Sequence, residues 1–188
     1  MNKKLKLKEI VVIAMISVLI GVVFTFLDSL YQPLQAIAGP LGGDIINGVY
    51  LLSALLPMFI IRKPGAALIG SLFVGVVNLL LGSPYGINII VAAALQGIGV
   101  EVILAGYRYK HYGALQMCLA AVLASLMVTV RDYFVFGFQL YGSLVPIMII
   151  VRVISAVIFG GLLTIALGKA LEATGVLKGF NIKMRSEQ

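Results

Sequence analysis

Two ionisable side chains interrupt long apolar runs, and a charge within hydrocarbon is costly enough to be ordinarily paired or functional. Glu101 ends the stretch Gln96-Gly97-Ile98-Gly99-Val100-Glu101, and Arg152 lies in Val151-Arg152-Val153-Ile154-Ser155. Counted from the expected outer helix ends, Glu101 is about 14 residues deep, ~21 Å of helical rise, and Arg152 about 10 residues, ~15 Å. At those depths an ion pair tying two helices together is feasible, and so is contact of either group with a bound ligand. Arg131-Asp132 reads as a self-satisfied pair or as the rim of a binding site. Asp28, Asp44, Asn47, Asn78 and Asn88 are further polar groups near outer helix ends or facing the interior. Tyr133, Phe134, Phe136, Phe138 and Tyr141 form an aromatic cluster. Such a cluster suits an interfacial belt, and equally a platform on which a flat or cationic ring stacks.

Nothing in the chain looks like an active site. It has no G-x-x-x-x-G-K-[ST] phosphate loop, no H-E-x-x-H and no G-x-S-x-G. Cys118 is the single cysteine and stands in an apolar helix, so neither an internal disulfide nor a cysteine metal site is expected. His111 has no second ligand nearby and reads as a solvated loop residue. The expectation is therefore no catalytic residue, no metal ligand and no cofactor. A membrane-embedded enzyme would be motivated by Glu101 alone, and it would need a nucleophile and an ionisable partner.

The elements that position these groups follow from the charge pattern. The chain has 188 residues, 61% of them apolar, and a mean hydropathy of +1.11. Its 14 Lys and Arg gather beside the apolar runs. Lys3, Lys4, Lys6 and Lys8 precede the first run, Arg62 and Lys63 follow the second, and Arg108 and Lys110 follow the fourth. Lys169, Lys178, Lys183 and Arg185 close the chain, whereas 31–43 and 83–86 hold no basic residue. That alternation matches the positive-inside rule for a chain crossing a bilayer several times. The formal charge of +7 is then explained by anionic lipid and insertion, and no nucleic-acid partner is expected.

The predicted fold is all-α: one integral membrane domain, 1–188, of six transmembrane helices, with both termini cytoplasmic in short basic tails at 1–9 and 172–188. The spans are predicted at Ile10–Leu30, Asp44–Ile61, Gly65–Leu81, Ile87–Tyr107, Ala114–Phe134 and Gly142–Leu171. Ile10–Leu27 is longer than a usual signal-peptide core and is taken as the first helix. A longer outer loop is predicted at 31–43, with Tyr31, Gln32 and Gln35, and an aromatic outer connection at 131–141. Gly70, Gly75, Gly97, Gly99, Gly160 and Gly161 are expected to let helices approach closely. Ala14, Ser17 and Gly21 form a small-residue stripe on the first helix, suited to an internal contact or to another membrane subunit.

In this order of motifs the chain resembles the substrate-binding S components of energy-coupling factor (ECF) transporters, and most closely the YkoE-type. The resemblance rests on Arg62-Lys63-Pro64-Gly65-Ala66-Ala67-Leu68, Gly82-Ser83-Pro84-Tyr85-Gly86, the stretches around Glu101 and Arg152, and Thr174-Gly175-Val176-Leu177. It implies a specificity subunit that captures a vitamin from outside, in this case thiamine or its hydroxymethylpyrimidine precursor. It also implies partners: a transmembrane coupling subunit, which Ala14, Ser17 and Gly21 would face, and two ATPases. A flat aminopyrimidine and a cationic thiazolium call for amide or carboxylate groups, an aromatic platform and a negative charge. The candidate binding residues are Asp44, Asn47, Tyr50, Asn78, Tyr85 and Asn88, with Gln96, Glu101, Asp132, Tyr133 and Tyr141. The predicted span Gly65–Leu81 departs from the family pattern, having no carboxylate near Ser71 and Asn78, which leaves room for the neutral pyrimidine or for a different small vitamin.

Overall fold

Long apolar segments broken by glycine and proline fold here as a helical bundle. The computed structural model describes residues 5–175. The tail beyond Gly175, with Lys178, Lys183, Arg185 and Val176-Leu177, lies outside the described residues, as do Lys3 and Lys4. The helices are α1 (Leu7–Ala38), α2 (Leu41–Tyr50), α3 (Leu52–Ile61), α4 (Ala66–Leu80), α5 (Asn88–Gly106) and α6 (Ala114–Val135). A 3-10 segment (Phe138–Leu144) then leads into α7 (Val145–Ser155), a π-helical segment (Ala156–Leu162) and α8 (Leu163–Ala173). Leu41–Ile61 and Phe138–Ala173 each form one composite span, so among the described residues five helices are long and apolar enough to cross a membrane. The shorter apolar α4 makes a sixth, about 22 Å long at 1.5 Å per residue.

Two expectations need correcting. The outer loop predicted at 31–43 is mostly helix, because α1 continues through Pro33 to Ala38 and leaves a turn at Gly39-Pro40. The aromatic connection is also partly helical: beyond the predicted helix end at Phe134, α6 gains only Val135, and Phe138–Leu144 forms the 3-10 segment. Local polarity suggested loops in both places. Tyr31 and Gln35 of the one and Arg131, Asp132 and Phe138 of the other face the interior while Ile37, Phe134 and Leu140 face outward, and on both sides helical backbone keeps its own hydrogen bonds.

The core is built around α3, all ten residues of which are buried. Leu55, Met58 and Ile60 of α3 pack with Ile13, Val100, Leu104 and Met117 from α1, α5 and α6. Small residues set the helix spacing. A Cβ on Gly99 would lie 2.7 Å from the Ala124 backbone, and one on Gly97 would lie 2.7 Å from the Leu68 backbone. Only glycine permits α5 to pack so closely against both α4 and α6.

The stripe on α1 takes the internal option. Ser17 is fully buried and its hydroxyl donates to the Gly70 carbonyl at 3.1 Å. A Cβ on Gly21 would meet the Val77 side chain at 2.6 Å. Ser17 and Gly21 are thus covered by α4, and the half-buried Ala14 adjoins them. Of the three stripe residues only Ala14 is left partly accessible to a neighbouring subunit in this bundle. The exposed face of α1 is Val11, Met15, Val18, Leu19, Val22, Val23 and Phe26, which suits lipid or a membrane partner.

Candidate functional site

The two ends of the bundle differ in chemistry. Near one end, Lys63 pairs with Glu9 at 2.7 Å, and the Arg62 guanidinium sits over the Phe59 and Tyr112 rings at 5.2 and 5.1 Å. Glu101 belongs to this half. It accepts the Ala67 N–H at 3.0 Å, capping the start of α4, and the Tyr109 hydroxyl at 2.7 Å. Burial and that bond hold the Tyr109 phenol above its ordinary pKa, so it remains the donor.

The other end holds a cavity of about 280 Å³ between α1, α2, α4, α5, α6, α7 and the 3-10 segment. Arg152 is its electrostatic centre. Nε donates to Asp44 Oδ1 at 2.5 Å, and Nη1 donates to Asp132 Oδ2 at 2.7 Å and Thr129 Oγ1 at 3.2 Å. Its guanidinium carbon lies 4.4 Å from the Phe138 ring centroid. Asp132 also takes two donors of Arg131, whose third bond reaches the Asn88 carbonyl at 3.0 Å. The ion pair feasible by depth between Glu101 and Arg152 is therefore not formed. Arg152 turns instead to α2 and α6, and Glu101 is satisfied elsewhere.

A second polar cluster fixes the side of the cavity. Asp28 is buried, with Oδ1 accepting from Tyr50 Oη at 2.8 Å and Oδ2 from Asn78 Nδ2 and Ser83 Oγ at 3.1 and 3.0 Å. One carboxylate thereby ties α1 to α2, α4 and the loop after α4. That loop carries Tyr85, whose ring meets Tyr31 and Phe136 edge-on at 6.0 and 6.2 Å, making an aromatic row across three elements. Burial, with Tyr31 and Asp28 nearby, raises the Tyr85 pKa and keeps its hydroxyl protonated. Deeper in, Gln96 Oε1 accepts from Ser53 Oγ at 2.6 Å. At mid-bundle Ser155 Oγ accepts the Gly48 N–H at 2.8 Å and donates to the Ile45 carbonyl at 2.6 Å, locking α2 to α7.

Asp44, Asn47, Tyr50, Asn78, Tyr85, Gln96, Asp132 and Tyr141 all line this cavity. Asn88, Glu101 and Tyr133 do not. Asn88 stands just behind, through its carbonyl bond to Arg131. Tyr133 is 43% exposed and packs edge-on against the exposed Phe134, as an interfacial aromatic does. The cavity also takes in Phe24, Tyr31 and Ser71, which were not singled out for binding, and Arg131, Phe138 and Arg152, which had been weighed as rim, aromatic platform and ligand contact. For Tyr31 and Arg152 a sequence signal existed, a tyrosine beside an outer helix end and a charge in an apolar run.

Apolar helices around a polar, aromatic-walled cavity define a membrane protein that binds a small solute within the bundle. Comparison with known proteins gives the class. The family described as "ABC-type cobalt transport system, permease component" matches residues 8–127. A solved structure described as an S-component of an ECF transporter superposes with a TM-score of 0.90 at 34% identity, covering 94% of this chain and 90% of that one. The chain belongs to the family of ECF transporter S components: it is a multi-pass membrane transport protein and not an enzyme. A relative from Bacillus subtilis (strain 168), named as an HMP/thiamine permease protein, YkoE, is 34% identical over 178 residues, 94% of this chain and 89% of its own length. Among the described residues no group of three or more His, Cys, Asp or Glu is placed to hold a metal ion.

Proposed function

We propose that this chain captures thiamine or its hydroxymethylpyrimidine precursor, in the cavity walled by Tyr31, Tyr50 and Tyr85, for uptake by an ECF transporter. The relative named as an HMP/thiamine permease supports the ligand class. The observation that carries the reading is the cavity lining. It joins aromatic rings to amide and carboxylate groups, and its charged members, Asp44, Asp132, Arg131 and Arg152, balance two against two. A flat heterocycle with donors and acceptors on its edge suits such a wall. Charge balance favours an uncharged ring as the deeply held part, so the pyrimidine is the recognised element and a thiazolium, where present, lies toward the mouth.

The cavity end faces outward in this account, since Lys63, Arg62 and Arg108 gather at the opposite end, where the positive-inside rule places the cytoplasm. Uptake is driven by a membrane coupling subunit and two ATPases, as in other S components. Mass spectrometry of the molecule that co-purifies with the detergent-solubilised protein tests the ligand. Thiamine or the free pyrimidine is the expected finding. An unrelated compound would replace the ligand assignment with a different vitamin and leave the family unchanged.

A further inference from the structure

Asp44 uses one carboxylate oxygen and leaves the other without a partner. Oδ1 accepts the Arg152 Nε–H, whereas the buried Oδ2 has no hydrogen-bond partner. The side chain is 1% exposed and forms part of the cavity wall. A buried carboxylate oxygen left unmatched is a costly polar arrangement. The neighbouring carboxylates do not share it: Asp28 bonds through both oxygens, and Asp132 gives both to arginines. The other buried side-chain atoms without partners among the described residues, on Tyr112 and Thr164, belong to residues outside the cavity lining.

We propose that Asp44 Oδ2 is the acceptor for an N–H donor of the ligand, and that Arg152 is the positioning residue that fixes this oxygen in place. The inference rests on the pyrimidine ligand proposed above and assigns its ring amino group as the donor. A carboxylate held by arginine is an acceptor only. A ligand carrying a carbonyl in place of the amino group sets oxygen against oxygen and is rejected. The clamp also dictates what Asp44→Asn does. Arg152 Nε–H still requires an oxygen, so the amide Oδ1 keeps that position and Nδ2 takes the place of Oδ2. The variant presents a donor where the native protein presents an acceptor.

The test is calorimetric titration of the native chain and of D44N with hydroxymethylpyrimidine and with its counterpart bearing a carbonyl for the amino group. The native protein should favour the amino compound by roughly tenfold to a hundredfold, the worth of one charge-assisted hydrogen bond. D44N should lose that preference and favour the carbonyl compound. An unchanged preference in D44N overturns the assignment of Asp44. Equal affinity of the native protein for the two compounds overturns it as well, whether or not the variant folds. Binding of neither compound, and of no thiamine, by the native protein overturns the ligand class itself and this inference with it.

Discussion

Replacing Arg152 with glutamine removes the group that joins α2, α6 and α7. The guanidinium is held by Asp44, Asp132 and Thr129 and lies against Phe138. Breaking a buried ion pair by removing one partner costs about 3–5 kcal/mol, because the other charge stays behind. Asp132 keeps Arg131, so Asp44 alone is stranded, and a loss near the lower figure, about 3 kcal/mol, is expected. For a chain of this size each kcal/mol moves the melting temperature by about 2–4 °C, which gives a fall of roughly 6–12 °C. Cys118, the single cysteine, is partly buried beside Gly161, so a thiol-reactive fluorophore reports its exposure on unfolding in detergent. The double variant D44N/R152Q removes both charges together and should recover most of the loss, since a neutral buried pair avoids the stranded carboxylate. A fall in R152Q of less than about 2 °C, or a double variant no more stable than R152Q, would refute the network as the tie between these helices.

Ser17→Leu should lower stability by about 1–3 kcal/mol, because the side chain is enclosed by α4 and a larger one overpacks it; the same melting assay checks this, and an unchanged melt would return the stripe to an outward face. Glu101→Gln should leave ligand affinity within about twofold, as the group lies away from the cavity, while weakening the start of α4; titration and melting of one preparation separate the two effects. Tyr85→Ala should weaken ligand binding by roughly tenfold through loss of its place in the aromatic row, with little change in melting; equal affinity by titration would exclude the row from recognition.

The helix spans were legible because apolar length and glycine or proline breaks mark them directly. The predicted α4, α5 and α6 differ from the observed helices by a residue at each changed end. The extension of α1 was not legible, since Tyr31, Pro33 and Gln35 are residues that loops also use, and that Tyr31 and Gln35 face a cavity is not a local signal. Depth counted along a helix placed Glu101 and Arg152 within reach of each other. It could not show which helices are neighbours or that Arg152 points toward Asp44 and Asp132. Asp28 passed as one polar group among several. Its weight comes from three donors brought from sequence distances of 22 to 55 residues, which no local pattern encodes.

The central claim is that the cavity at the Asp44–Arg152 end holds a thiamine-type pyrimidine. Calorimetric titration of the detergent-purified, ligand-free chain with thiamine and with hydroxymethylpyrimidine tests it most directly. Saturable binding of at least one of them, at about one molecule per chain and diminished in the Tyr85→Ala variant, is the predicted result. Absence of binding by both compounds to folded protein would contradict it.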